Sequence, residues 1–411
     1  MSWKATTLSQ IAANIQTGPF GSQLHQSDYS DSGFPVVMPK DLVNGHISES
    51  SIARVEKKHV DRLSRHIIEV GDILYSRRGD VGRCAYATNK EAGWLCGTGC
   101  LRVTIDPAKA DSKFVFYQLQ KAETVDWVEK HAVGSTMLNL NTTILGNIPI
   151  ELPELVEQKR IVSILSSFDE LIDNNDNQIL LLEEAGQRVY SKWFIDMQFP
   201  GYESTTFIDG KPDSWSIKEL SEVFDYIRGK SYTSKELSDN SGTLMVNLKN
   251  IRAFGGYKRN AEKRFVGKFK ETQTLCAGDL VMGVTDMTQE RRLVGHVAII
   301  PDFGEPATFS MDLIKLLPKC VSKNFLYATM FFGGFSKKIS PLANGTNVLH
   351  LKPESMMNLK MLIPDDQTIS RFNSVFEPLR KEIEVLQTQS ESAAEARDRL
   401  LPKLMNGEIE I

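Results

Sequence analysis

The sequence predicts an α+β chain made as a pseudo-twofold internal repeat: two globular domains separated by two long antiparallel helices forming a coiled coil. Three observations predict it. Segments about 211 residues apart match in colinear order, short apolar runs between turn residues fill the first part of each repeat, and a heptad fills the rest.

The repeat comes first, because missing one misreads the whole fold. Gly134-Ser135-Thr136-Met137-Leu138-Asn139-Leu140 matches Gly345-Thr346-Asn347-Val348-Leu349-His350-Leu351 at an offset of 211. Pro153 and Pro364, Glu184 and Glu395, Arg188 and Arg399, and Lys192 and Lys403 match at the same offset. Near the domain starts, Ser2-Trp3 and Leu8 match Ser214-Trp215 and Leu220 at 212. Gly71-Asp72-Ile73-Leu74 resembles Gly278-Asp279-Leu280-Val281 at a slightly different offset, as loops of unequal length require.

Each repeat divides in two, which gives four segments. Residues 1–150 form a first globular domain, 151–200 a central helix, 201–363 a second globular domain and 364–411 a C-terminal helix. The domains carry apolar runs such as Phe34-Pro35-Val36-Val37-Met38 and Ile73-Leu74-Tyr75 between Gly, Pro and Asp turns, a pattern of short strands with loops and a few helices. The turn-rich stretch from Pro200-Gly201 to Lys211-Pro212-Asp213 leads into the second domain.

In the first helical segment a three-four spacing runs through Ile161, Leu165, Phe168, Ile172, Asn175, Ile179, Leu182, Gly186, Val189 and Trp193. Its copy runs through Phe372, Phe376, Leu379, Ile383, Leu386, Ser390, Ala393, Arg397, Leu400 and Leu404. Two long helices sharing one seam should pair. Because a whole domain lies between them and is itself a copy, a pseudo-twofold axis makes them antiparallel. If Ile161 faces Leu404, paired numbers sum to 565 and Asn175 falls opposite Ser390. The acidic run Asp169-Glu170 lies between seam positions and is expected on a solvated face.

Composition bounds the function. The 411 residues are 41 % hydrophobic and 24 % charged, ordinary values for a globular chain of two or three domains. No membrane span or secretory leader is legible, and five scattered cysteines suit a reducing cytoplasm. The net charge of −4 hides a split: +1 for 1–150, −6 for 151–200, +5 for 201–363 and −4 for 364–411. Mildly basic domains beside acidic helices are compatible with phosphate binding, which depends on local patches. A dinucleotide loop, a phosphate-binding loop, a His-Glu-x-x-His zinc motif and the Asn/Asp-Pro-Pro-aromatic signature of adenine methyltransferases are all missing. Cys96-Gly97-Thr98-Gly99-Cys100 has no second pair at ligand spacing and is expected to hold buried thiols. No catalytic and no metal residues are assigned.

These features resemble the specificity subunit of type I restriction-modification systems over essentially the whole chain. Pro212-Asp213-Ser214-Trp215, Ile148-Pro149-Ile150-Glu151-Leu152-Pro153, Glu157-Gln158-Lys159-Arg160-Ile161 and the tail Leu400-Leu401-Pro402-Lys403-Leu404-Met405-Asn406-Gly407-Glu408-Ile409 carry the likeness. The N-terminal start departs from it, lacking the proline before Trp3. The resemblance implies a non-catalytic subunit whose two domains each read one half of a split, asymmetric double-stranded DNA target. The paired helices would set the spacer and dock two modification subunits acting on adenine N6 with S-adenosylmethionine. Restriction subunits would add ATP- and Mg-dependent translocation and cleavage. Helices on the order of 50 Å long suit half-sites about one DNA turn apart, roughly 34–36 Å, with a gap of about 5–8 base pairs. The rival readings are a coiled-coil scaffold with protein-binding domains and a self-contained nuclease or methyltransferase.

Base-edge readout needs Arg, Lys, Asn or Gln on loops, and phosphate contacts also use hydroxyls and backbone N–H groups. The first-domain candidates are Gly18, Phe20, Gly21, Ser22 and Gln23 of a glycine-rich loop, then Lys40 and Asp41, Arg77 and Arg78, and Ser135 and Thr136. The second-domain candidates are Lys230, Ser231 and Tyr232, then Lys249 and Asn250, Arg291 and Arg292, and Thr346 and Asn347. Arg291-Arg292 is expected to play the part of Arg77-Arg78. The run Lys258, Arg259, Lys263, Arg264, Lys268 and Lys270 is a candidate phosphate stripe.

Overall fold

The computed structural model describes residues 3–20, 22–134, 137–288 and 290–409; the candidates Gly21, Ser135 and Thr136 lie outside the described residues. By contacts the chain divides into two compact units, Met1–Asn174 with Ser390–Ile411, and Asn175–Gln389, a division that cuts both long helices.

In the first unit one four-stranded sheet has the order Ala12–Thr17, Cys100–Ile105, Ile73–Ser76, Cys84–Tyr86, antiparallel throughout. A second runs Leu95–Cys96, Phe34–Val37, Ala53–Val55, Tyr29–Ser30, and its first pair is parallel. The second unit repeats both orders. Its strands are Phe224–Arg228, Leu313–Pro318, Leu280–Gly283 and Val297–Ile299, then Ala307–Phe309, Thr243–Val246, Lys263–Phe265 and Leu237–Ser238, again with a parallel first pair. Such an order, with the same parallel exception, is the duplication seen in three dimensions.

Each domain closes start to end. Lys4–Thr7 pairs with Pro149–Leu152, and Ser216–Glu219 with Lys360–Ile363, so each long helix leaves from the strand that ends its domain. The repeated Gly-Asp motif also acquires a cause. Gly71 and Gly278 take positive φ (89° and 79°), and the aspartate after each closes the turn and accepts a cation from the neighbouring strand. Asp72 pairs with Arg102 at 3.2 Å, and Asp279 with Lys315 at 2.6 Å and Lys323 at 2.8 Å. Buried ions persist only when paired in this way.

The long helices are Leu155–Tyr190, 36 residues, and Asp366–Met405, 40 residues. Every heptad position named from the sequence is buried or half-buried. In the first unit Ile161, Leu165 and Leu404 share one core with Phe114 and Tyr117. In the second, Phe372 and Phe376 share another with Tyr190 and Phe194. The pairing is antiparallel in each unit: Asp169 meets Arg397, and the rings of Trp193 and Phe372 lie 6.0 Å apart, number sums of 566 and 565 beside the 565 expected.

One expectation is corrected and two gain detail. Asp169 is buried, not solvated: it accepts from Tyr117 Oη at 2.6 Å and from Arg397 at 2.8 Å. The polar layer at Asn175 is met through backbone, its Nδ2 donating to the Leu386 carbonyl at 3.4 Å. At the end of the first helix a π-helical turn, Ser191–Ile195, adds a residue to the repeat, so Phe194 is buried while Trp193 is half-buried.

Candidate nucleic-acid interface

In the first domain the candidate loops converge on one short turn, Gly97-Thr98-Gly99. Gly18 N–H donates to the Cys100 carbonyl at 2.9 Å, and a Cβ on Gly18 would lie 2.0 Å from the Gly97 oxygen. Only glycine fits there. Thr98 Oγ1 donates to the Pro19 carbonyl at 2.8 Å, Gly97 N–H to Val37 O at 2.9 Å, and Arg77 N–H to Gly99 O at 2.8 Å. Leu140 N–H in turn donates to Arg77 O at 2.8 Å, and Arg78 bridges Asn139. The glycine loop, the Lys40 turn, the Arg77-Arg78 strand end and the stretch before Leu140 are thus brought together.

The side chains divide by accessibility. Phe20 is 49 % exposed, with the Arg77 guanidinium 5.2 Å from its ring centroid. Gln23 Oε1 accepts from Phe20 N–H at 3.1 Å and so shapes the loop, while Ser22 and Arg78 are exposed. Lys40 Nζ donates to the Ser51 carbonyl and hydroxyl. Asp41 is buried and closes its own turn by accepting from Met38 N–H at 2.8 Å; burial raises its carboxyl above the ordinary value.

The second domain reproduces the arrangement with other residues. A Cβ on Gly229 would lie 2.0 Å from the Ser310 oxygen. Lys230 N–H donates to Phe309 O at 2.7 Å, Met311 N–H to Lys230 O at 2.9 Å, Val284 N–H to Asp312 O at 2.8 Å and Leu351 N–H to Val284 O at 2.8 Å. Ser310-Met311-Asp312 therefore stands where the first domain has Gly97-Thr98-Gly99. Tyr232 carries the Lys263 ammonium 5.7 Å from its ring, and Ser231, Lys249, Thr346 and Asn347 are exposed.

Several assignments change. Asn250, like Asp41, is buried and holds a turn, donating to Lys258 O and to Glu262 at 3.0 Å, so these two side chains are structural. The strand position of Arg78 belongs in the second domain to Thr285, which pairs with His350. Arg291-Arg292 lies in the following loop, whose backbone is held by Asp286 accepting from Leu293 N–H at 2.6 Å. The basic run is spread over a loop, the strand Lys263–Phe265 and a later turn, with Arg264 paired to Glu305 at 2.8 Å. The sequence reading missed the central turn, because Cys96 and Cys100 drew attention to thiols. Both are buried, and burial pushes the Cys96 thiol up to about 12, so they are inert packing. The glycines of Gly97-Thr98-Gly99 are a turn signal in the first copy alone, since Ser310-Met311-Asp312 shares no pattern with them.

The domain model of the type I restriction modification DNA specificity domain matches residues 2–184 and again 212–392, one match in each copy. The chain belongs to the type I restriction-modification DNA specificity family. It is 25 % identical over 400 residues to the type I restriction enzyme MjaIX specificity subunit of Methanocaldococcus jannaschii, covering 93 % of this chain and 88 % of that one. It is also 20 % identical to the HindI specificity subunit of Haemophilus influenzae, over 99 % of both chains. Its fold is that of the type I restriction-modification S subunit from M. genitalium, with a TM-score of 0.60 at 17 % identity over 98 % of this chain and 96 % of that one. The scaffold reading finds no support in these relatives. Among the described residues no helix is long and apolar enough to cross a membrane.

Proposed function

We propose that each domain reads one half of a split double-stranded DNA target, and that the paired helices set the spacing and dock modification subunits. The observation that carries this reading is the duplicated convergence of exposed loops on one turn, Gly97-Thr98-Gly99 and Ser310-Met311-Asp312, with different side chains in each copy. Like backbones with unlike side chains suit two different half-sites. Catalysis then belongs to partners: modification subunits with S-adenosylmethionine, and restriction subunits using ATP and Mg, in the cytoplasm.

Mapping methylated adenines in host DNA tests this, with two fixed half-sites and a constant gap expected. One heptad inserted into both long helices should widen the gap; an unchanged gap would refute the spacing role of the helices. Methyl transfer by this chain alone, given DNA and S-adenosylmethionine, would overturn the non-catalytic reading.

A further inference from the structure

The turn after Ile251 holds three consecutive residues at positive φ: Phe254 (67°), Gly255 (109°) and Gly256 (88°). Glycine takes such a conformation freely, whereas for a bulky aromatic it is strained. Neighbouring backbone fixes it. Phe254 N–H donates to Arg292 O at 2.8 Å, Gly255 N–H to Arg252 O at 2.9 Å and Gly256 N–H to Val297 O at 2.8 Å. Packing does not account for the phenyl ring, which is 62 % exposed and touches the His296 ring edge-on at 5.8 Å. A strained and exposed aromatic serves neither the turn nor the core.

The corresponding turn of the first domain, one residue shorter, places Asn44 (φ 50°) before Gly45 (φ 84°) between the paired strands Leu42–Val43 and His46–Ile47. Asn44 is also exposed. Asparagine tolerates positive φ, so the first copy carries the residue that the backbone favours and the second does not. One backbone tip therefore presents an amide in one domain and a phenyl ring in the other. The phenyl tip is hydrogen-bonded to the loop that carries the exposed Arg292.

Resting on the half-site reading above, we propose that position 44/254 is a specificity-determining position. Phe254 reads its half-site by apolar contact with a thymine methyl group, and Asn44 reads the other through its amide on an adenine edge.

The test uses the assembled complex with its modification subunits and a library of duplexes varied at each target base pair. Phe254→Asn supplies the residue of the sister turn, so its thermal midpoint should equal or exceed that of the parent. Discrimination at one base pair of one half-site should fall by about tenfold or more, with the other half unchanged. Asn44→Gly should do the same in the other half only, and Phe254→Gly provides a second turn-compatible variant. Unaltered selectivity at every position, or a uniform loss across all sequences, overturns the proposal. A parent complex without sequence selectivity overturns instead the half-site reading beneath it.

Discussion

Arg397 of the C-terminal helix donates to Asp169 of the central helix at 2.8 Å, and Tyr117 of the first domain donates to the same carboxylate at 2.6 Å. Lys113 Nζ lies 3.6 Å away. One buried carboxylate thus ties a recognition domain to both helices. Asp169→Ala leaves two cations facing a partly buried gap and should cost about 3 kcal/mol in urea unfolding. A cycle with Arg397→Ala should show strong coupling. A loss below about 0.5 kcal/mol would mean that the site is solvated.

Gly18 and Gly229 leave no room for a β-carbon. Each substitution to alanine would drive a methyl group to 2.0 Å from a carbonyl oxygen, of Gly97 in one domain and Ser310 in the other. The backbone must shift, at a cost of about 3 kcal/mol. Each variant should lose selectivity only in its own half-site, which methylation mapping of the two variants would show.

Gly186 sits mid-helix, where alanine is intrinsically better by about 1 kcal/mol. A Cβ there would meet Phe376 Cε2 at 3.0 Å, and Phe376 is itself buried and stacked on Phe372 at 5.2 Å. A buried, stacked ring gives way only at a packing cost, so Gly186→Ala should be destabilising by about 1 kcal/mol net. A rise in the thermal midpoint would show that the aromatic cluster is looser than its geometry.

His66 is buried, and burial together with the nearby Arg65 and Arg102 lowers its imidazole from 6.5 to about 4. The unfolded chain therefore takes up a proton first as pH falls. Stability from this residue is fully present above pH 6.5 and is lost progressively down to about 4. His66→Gln should flatten this part of the stability-pH curve. An unchanged slope between those values would assign it to other groups.

Much of the architecture was legible because it rests on periodicity. The heptad positions from Ile161 to Trp193 and from Phe372 to Leu404 are all turned inward, and the matched Gly134 and Gly345 segments belong to domains with one strand order. Asp169 was misread because a three-four count marks the face toward the partner helix. It does not mark the flank covered by Tyr117 and Lys113 of the domain. Asp41 and Asn250 stand among the DNA-binding candidates in the sequence, but Asp and Asn serve equally well as turn closures, and that is what both do here.

The duplication with which the sequence opens, and with it the antiparallel helix pair, was determined by the chain alone, since repeats and heptads are local patterns that survive without coordinates. Which residues gather at each recognition surface was decided only by the tertiary structure. Gly97-Thr98-Gly99 and Ser310-Met311-Asp312 share no sequence pattern, yet they receive the same hydrogen bonds from Arg77 and Val284. The reason is physical: a backbone amide can be received by any residue's carbonyl, so strand order places the turn while its side chains remain free to differ.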